Sequence, residues 1–326
     1  MAAFHLLQLP LVAMDYVLSM MNPYEWINLS MVSSRSKITV RNYSKINKPQ
    51  YQIHLEFIRN PHIFLNGENE SWGFGWGTDE SRAGYEHETI VKHDTHKINN
   101  YSKNPMEEMM KWYDYIKGVL VCQIELVDLD LSLYPAQNKV FTDWLRSQQA
   151  SIDSLEIRDS GEGFDEDMKY IIENITVIDE LWLSTTDYKA GFQMEIPIVT
   201  RSVTVNDSRF IDFEQLLRLK NRKISLDESI LTSREINQFV KSWMARESHL
   251  DLETIDINIS GPEAIDNIID MPCEIIDDPK LVFEIVHEFD FPDVDTWYDI
   301  KRIDGKVATV AVGLYYDEQR FFMIIR

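Results

Sequence analysis

From residue 118 onward the chain alternates short branched apolar runs with amphipathic helical patterns. That rhythm narrows the possible folds more than any other feature. The runs are Val119–Leu126, Ser154–Ile157, Glu180–Leu183, Ser202–Val205, Lys223–Leu226 and Thr254–Ile257. The clearest helical patterns cover Lys139–Gln149, Asp165–Asn174, Asp212–Leu219 and Ser233–Ala245. Strand–helix alternation predicts a parallel sheet with helices on a face. Successive strands begin roughly twenty to thirty residues apart, within the range of leucine-rich-type repeats. The strict consensus, with its asparagine ladder, is absent, so the body reads as leucine-rich-like.

The helix over Ser233–Ala245 carries the best signals. Thr232 and Glu235 form a T-x-x-E capping box. Ile236, Phe239, Val240, Trp243 and Met244 then mark one apolar stripe. At the C-terminal end, Trp297–Ile300 and Lys306–Tyr316 alternate like strands, joined by Asp304-Gly305, a two-residue hairpin signal. Phe322–Ile325 reads as a third strand, and this sheet is expected to cap one end of the repeat body. Residues 45–115 read differently. Gln52–Ile58 and Ile63–Leu65 are short strands split by Asn60-Pro61, Trp72–Gly84 is a Gly-rich turn region, and a helix runs from about Glu107 to Lys117.

The first forty residues are a different material. After Leu9-Pro10, the residues Met14, Val17, Leu18 and Met21 fall on one helical face. Asn22-Pro23 restarts the chain: Asn22 suits an N-cap, Pro23 the first helical position, and Glu25 completes a capping box. The next helix, to about Ser34, spreads Trp26, Ile27, Leu29, Met31 and Val32 around its circumference, and Ser33–Arg41 forms a third short helix. So short a segment cannot hide that much apolar surface alone, and it calls for a partner's surface.

Composition excludes several classes. Two cysteines, Cys122 and Cys273, rule out a disulfide scaffold or a cysteine-only zinc site. No run of eighteen apolar residues predicts a membrane span, and the N-terminus lacks the basic region of a signal peptide. Residues 1–50 carry five basic and two acidic residues, a net +3, which leaves −25 on the rest of a chain whose total is −22. A body that acidic is a poor nucleic-acid binder; its charge reads first as a device for solubility and second as one that steers basic partners.

Chemistry-bearing motifs are sparse. His93-x-x-His96, with His87 and Asp94, could offer two imidazoles to zinc on a helix, but the segment is polar and reads as a solvated loop. The WGFGWG stretch lacks the strand-before, helix-after setting and the lysine of a phosphate loop, and its aromatics read as exposed or half-buried strand residues rather than a ligand-stacking platform. Acidic clusters at Glu162–Asp167, Asp277-Asp278 and Asp293–Asp295 lack calcium-loop spacing and read as solvated surface. No G-x-S-x-G elbow, kinase set or HExxH pair occurs. No catalytic residue, metal ligand or cofactor is assigned. A convergent carboxylate-using hydrolase stays open on the residues alone.

Leu9-Pro10, Val17-Leu18, Met21, Pro23, Leu29 and the Ser30–Lys37 run stand in the order of an F-box of the nematode type, which the segment resembles. The Leu231–Met244 helix, the following LETIDI strand and the Trp297–Val310 segment resemble the type 2 F-box-associated domain. The segment departs from many F-boxes in having Leu11-Val12-Ala13 after Leu-Pro and Ser36-Lys37 at its end. The resemblance implies an α+β protein. A small all-α F-box over residues 1–45 precedes a β-rich connecting region over 46–117. A leucine-rich-like α/β body with a C-terminal β-hairpin region follows over 118–326.

It implies a non-enzymatic substrate receptor of a Skp–cullin–F-box ubiquitin ligase, cytoplasmic or nuclear, with no nucleic acid or membrane partner. On that resemblance Leu7, Leu9, Pro10, Val17, Leu18, Trp26 and Leu29 present an apolar surface to a Skp-type adaptor. The body holds an unknown target protein, a basic one suiting the charge. The rival reading is a leucine-rich-like interaction protein with a non-functional F-box. The two part on whether the first forty residues pack on the body or keep an apolar face open.

Overall fold

The computed structural model describes residues 6–47, 51–90, 93–159, 163–185, 188–259, 264–276, 294, 296–315 and 318–326. The chain divides into two compact units, residues 1–153 and 154–326.

The first unit opens with three helices, α1 (Leu11–Ser19), α2 (Pro23–Val32) and α3 (Ser34–Asn47). Then come β1 (Gln52–Phe57), β2 (His62–Asn66), β3 (Glu70–Gly77), β4 (Gly84–Ile90), β5 (His93–Tyr101), α4 (Pro105–Leu120), β6 (Ile124–Asp130) and α5 (Asn138–Gln148). Its sheet runs β6-β1-β2-β3-β5-β4. The β6/β1 and β3/β5 pairs are parallel, and the other neighbours antiparallel. Strand alternation divides the faces. Ile53, Leu55 and Phe57 of β1, Ile63 and Leu65 of β2, and Trp72, Phe74 and Trp76 of β3 are buried on one side. On α4, Met106, Met109, Tyr113, Ile116 and Leu120 form a buried stripe at helical spacing, and the ring of Trp112 stacks on Phe74.

Four sequence expectations in this unit are corrected. The run from Val119 is not a strand at its start: Val119 and Leu120 complete the α4 stripe, so the helical period overrides β propensity. Val121, at φ 53°, ends the helix, and the strand begins at Ile124. The Gly-rich Trp72–Gly84 region is strand β3 as far as Gly77: its aromatics are buried, not half-exposed, and an added Cβ at Gly73 would lie 2.6 Å from the Phe64 ring. The histidine segment is the β4–β5 hairpin and not a loop. The third helix runs on to Asn47.

The second unit begins with β7 (Ile152–Arg158), which straddles the division, then α6 (Asp165–Asn174), β8 (Val177–Ser184), β9 (Ser202–Val205), α7 (Phe213–Arg218), β10 (Lys223–Leu226), α8 (Ser233–Met244) and β11 (Thr254–Asn258). A short α9 (Ala264–Ile268), β12 (Glu274–Ile275), β13 (Trp297–Lys301), β14 (Val307–Tyr315) and β15 (Glu318–Ile325) follow. Strands β8 to β11 are successive parallel neighbours. β15 then pairs antiparallel with β11, and β14, β13 and β12 continue outward. The terminal strands thus extend the sheet past β11.

Helix α8 forms as its sequence demands. The Thr232 side chain accepts from Glu235 N, the Glu235 carboxylate takes the Thr232 N–H, and Ile236, Phe239, Val240 and Trp243 are buried. Each such side chain contributes roughly 1.5–3 kcal/mol of burial. The Asp304-Gly305 turn is one residue longer than a two-residue hairpin. Arg302 N donates to Lys306 O, and Gly305 closes the loop at φ 92°. A short polar ladder also exists where the sequence showed none. Thr200 Oγ1 donates to Val177 O, and buried Asn221 donates to Thr200 O at 2.7 Å.

On the side opposite the buried Leu181, Val203, Ile224 and Ile255, the row Trp182–Thr204–Ser225–Asp256 crosses the parallel strands. Arg320 of β15 is buried beside this row and bridges Asp227 and Asp256.

Candidate functional site

The three N-terminal helices are locked by contacts their sequence supplies. Asn22 Oδ1 accepts from Glu25 N at 3.0 Å and Asn22 N donates to Glu25 Oε2 at 2.9 Å, a complete capping box ahead of Pro23. Ser33 Oγ accepts from Ser36 N at 3.1 Å, which satisfies the first turn of α3. The Trp26 indole donates to Leu18 O at 2.8 Å and ties α2 to the end of α1. The Arg35 guanidinium donates to Leu7 O at 3.0 Å and ties the leading turn to α3. Met14, Leu18, Trp26, Ile27 and Val40 make the small core.

The seven residues expected at an adaptor surface separate into two groups. Leu18 and Trp26 face the chain's own interior. Leu7, Leu9, Val17 and Leu29 are half-buried, and Pro10 is exposed. Sequence reasoning passed over the exposed apolar residues of α1. Leu11 is 82% exposed, Val12 83%, Tyr16 69% and Met20 64%, all on or just after α1. The helical spacing of Val12, Tyr16 and Met20 was the available signal, because residues four apart share a face.

The opposite side of this helical group is fastened within its unit. Tyr24 Oη lies 2.7 Å from both Gly73 O and His96 O, so its proton is shared between two strand carbonyls. Burial raises the pKa of that phenol. Its ring meets Phe74 edge-on at 4.9 Å. Ser30 pairs with Tyr115 Oη, Ser44 donates to Leu120 O, and the Lys37 ammonium sits 4.2 Å over the Tyr115 ring. The helices therefore pack on β3, β5 and α4 of their own unit, almost wholly in the connecting region, and keep an apolar α1 face open at the same time.

The other candidates resolve differently. On strand β5, His93 and His96 point to opposite faces, because three residues is an odd step at period two. His96 stacks on His87 at 4.7 Å and meets Tyr85 Oη at 2.7 Å, while His93 meets Ser71 Oγ at 2.8 Å. Of the acidic residues singled out, buried Asp165 accepts from Lys189 N at the start of α6. Asp277, Asp278, Asp293 and Asp295 lie outside the described residues. A group the sequence did not bring together stands on β1 and β6: His54 Nε2 is 3.0 Å from Asp128 Oδ2, and Glu56 is beside them. His54-x-Glu56 at strand spacing was readable, but the register against Asp128 was not. Among the described residues no helix is long and apolar enough to cross a membrane.

The first unit thus presents a helical N-terminal module whose α1 keeps an apolar face open. Residues 6–48 match the family model described as F-box domain, and residues 195–257 match the model described as F-box associated. The chain thus carries an F-box segment followed by a segment of the type 2 F-box-associated domain. The first match covers α1 to α3; the second covers β9, α7, β10 and α8 and most of β11. No curated protein and no solved structure matches the chain.

Proposed function

We propose that the chain is the substrate receptor of a Skp–cullin–F-box ubiquitin ligase. The F-box, residues 1–45, docks on a Skp-type adaptor. A connecting region, 46–117, carries the sheet that braces it, and the body, 118–326, holds the target protein. The observation that carries this reading is the open α1 face within a segment otherwise pinned to its unit. Leu7, Leu9, Pro10, Val17 and Leu29 meet the adaptor together with Leu11, Val12, Tyr16 and Met20, while Leu18 and Trp26 hold the helices from beneath. Ubiquitin transfer falls to partner proteins, so the chain itself needs no catalytic residue. The complex works in the cytoplasm or nucleus.

The body reads as leucine-rich-like. Strands β7 to β11 begin 21 to 31 residues apart, and the Thr200 and Asn221 hydrogen bonds act as rungs between successive turns. Its open row, with half-exposed Trp182, is the surface offered to a target, and the acidic body favours a basic one.

The test is co-purification of a Skp-type adaptor and cullin from extract with the full chain. Leu11→Asp with Val12→Asp, and separately Leu9→Ala with Pro10→Ala, should abolish capture while circular dichroism stays unchanged. Each lost anchor of such an interface costs roughly 2–4 kcal/mol. Undiminished capture by both folded variants refutes the docking and leaves a leucine-rich-like interaction protein with a non-functional F-box.

A further inference from the structure

We propose that the first unit's sheet, on the face opposite Ile53, Leu55 and Phe57, binds a divalent transition-metal ion through His54 and Glu56 of β1 and Asp128 of β6. Three facts bring these residues together. Strand alternation places His54 and Glu56 opposite buried Ile53, Leu55 and Phe57. The parallel β1/β6 register sets Glu56 directly beside Asp128, with His54 one step along. One ligand atom from each of the three lies within 4.8 Å of the others, and His54 Nε2 is 3.0 Å from Asp128 Oδ2. An ion bound at about 2.0–2.2 Å holds its nitrogen and oxygen ligands roughly 3–3.5 Å apart, so small side-chain rotations close the set.

The chemistry of the donors selects the ion. One imidazole and two carboxylates suit Zn²⁺ or Mn²⁺, and the two carboxylates match the double positive charge. A plain ion pair needs only His54 and Asp128. A second carboxylate beside them raises the local negative charge, which a cation relieves. Three protein ligands leave a coordination position for water, and Glu56 lines a polar cavity of about 440 Å³ that has room for it.

The ligands are also held in place. Asp128 is buried and His54 and Glu56 are half-buried, and the His54 ring lies 5.8 Å from that of Phe64. His62 stands behind Glu56, its Nδ1 3.8 Å from Glu56 Oε1 and 2.8 Å from Asn60 O. Its Nε2 reaches Asn99 Oδ1 at 3.3 Å across Gly75, where an added Cβ would lie 2.5 Å from Nε2. Such outer partners orient ligands and sharpen affinity.

The experiment titrates the chelator-stripped full-length chain with Zn²⁺ and with Mn²⁺ by isothermal calorimetry. Saturable binding of one ion per chain is expected, tighter for Zn²⁺ than for Mn²⁺. His54→Ala and Asp128→Asn should each weaken it by at least about tenfold, and His96→Ala should leave it unchanged. The visible spectrum of bound Co²⁺ supplies a second reading through Glu56→Gln, a change at the partly exposed ligand that spares the strand. Absence of saturable binding up to about 1 mM overturns the proposal. So does an affinity that survives His54→Ala and Asp128→Asn but falls with His96→Ala, which would put the ion on the β4–β5 hairpin.

Discussion

Lowering the pH from about 7.5 to about 4 is expected to destabilise the second unit through His249. This imidazole is buried just after α8, at φ 51°, with its ring edge-on to Phe239 at 4.9 Å. Among the described residues neither ring nitrogen has a partner at full hydrogen-bond geometry, and the approach of the Leu216 backbone falls short of it. Burial pushes its pKa from the usual 6.5 down to about 4; the Lys220 ammonium acts in the same direction, and the Leu216 backbone opposes both weakly. Above 6.5 the ring is neutral in folded and unfolded chains alike. Between 6.5 and about 4 the unfolded chain takes up a proton that the folded chain refuses, so stability falls as pH falls.

At 1.36 kcal/mol per pH unit, that gap amounts to about 3 kcal/mol, spent across this window and constant below it. The assay is urea unfolding of the chain and of His249→Asn at several pH values. Asparagine does not titrate and tolerates a left-handed backbone. Carboxylates elsewhere titrate in both proteins and cancel in the difference, which should shrink by about 3 kcal/mol between pH 7 and 4. A difference that stays flat within about 0.5 kcal/mol would show that the imidazole is hydrated or paired, and the reasoning fails.

Two further substitutions probe local devices. Gly75→Ala places a Cβ against both His62 Nε2 and Asn99 Oδ1 and should lower stability by about 1–3 kcal/mol, whereas Gly118→Ala in α4, with open space around it, should raise it by up to about 1 kcal/mol. Thermal unfolding reads both, and equal effects of one sign would contradict the packing argument. Asn22→Ala removes the α2 capping box and should cost about 1 kcal/mol. A melting temperature unmoved by this change would mean that the Trp26 and Tyr24 anchors alone hold the helix.

Local signals carried the helical segments well. The capping boxes at Asn22 and Thr232 formed as written, and Ser202–Val205 and Lys223–Leu226 are strands with the expected ends. Each of these depends on a few adjacent residues. Features set by tertiary contact were not accessible in this way. Glycines 73 and 75 read as turn residues because their strand role depends on Phe64, His62 and Asn99 lying across the sheet. Val119 and Leu120 read as strand because their stripe partners begin at Met106, a helix earlier. The surface of the F-box was half visible. Leu18 and Trp26 are as apolar as Leu11 and Val12, and only the fold decides which pair faces solvent. His54, Glu56 and Asp128 meet through a parallel register that joins residues more than seventy positions apart.

The pairing of β15 with β11 has a consequence for synthesis. β11 ends at residue 258 and β15 begins at residue 318, so for about sixty residues of translation the parallel strands have an unzipped flank. During that interval Asp227 and Asp256 also lack Arg320, the guanidinium that joins them. The second unit therefore cannot seal before β15 has emerged from the ribosome, and until then its exposed margin is a nascent-chain hazard.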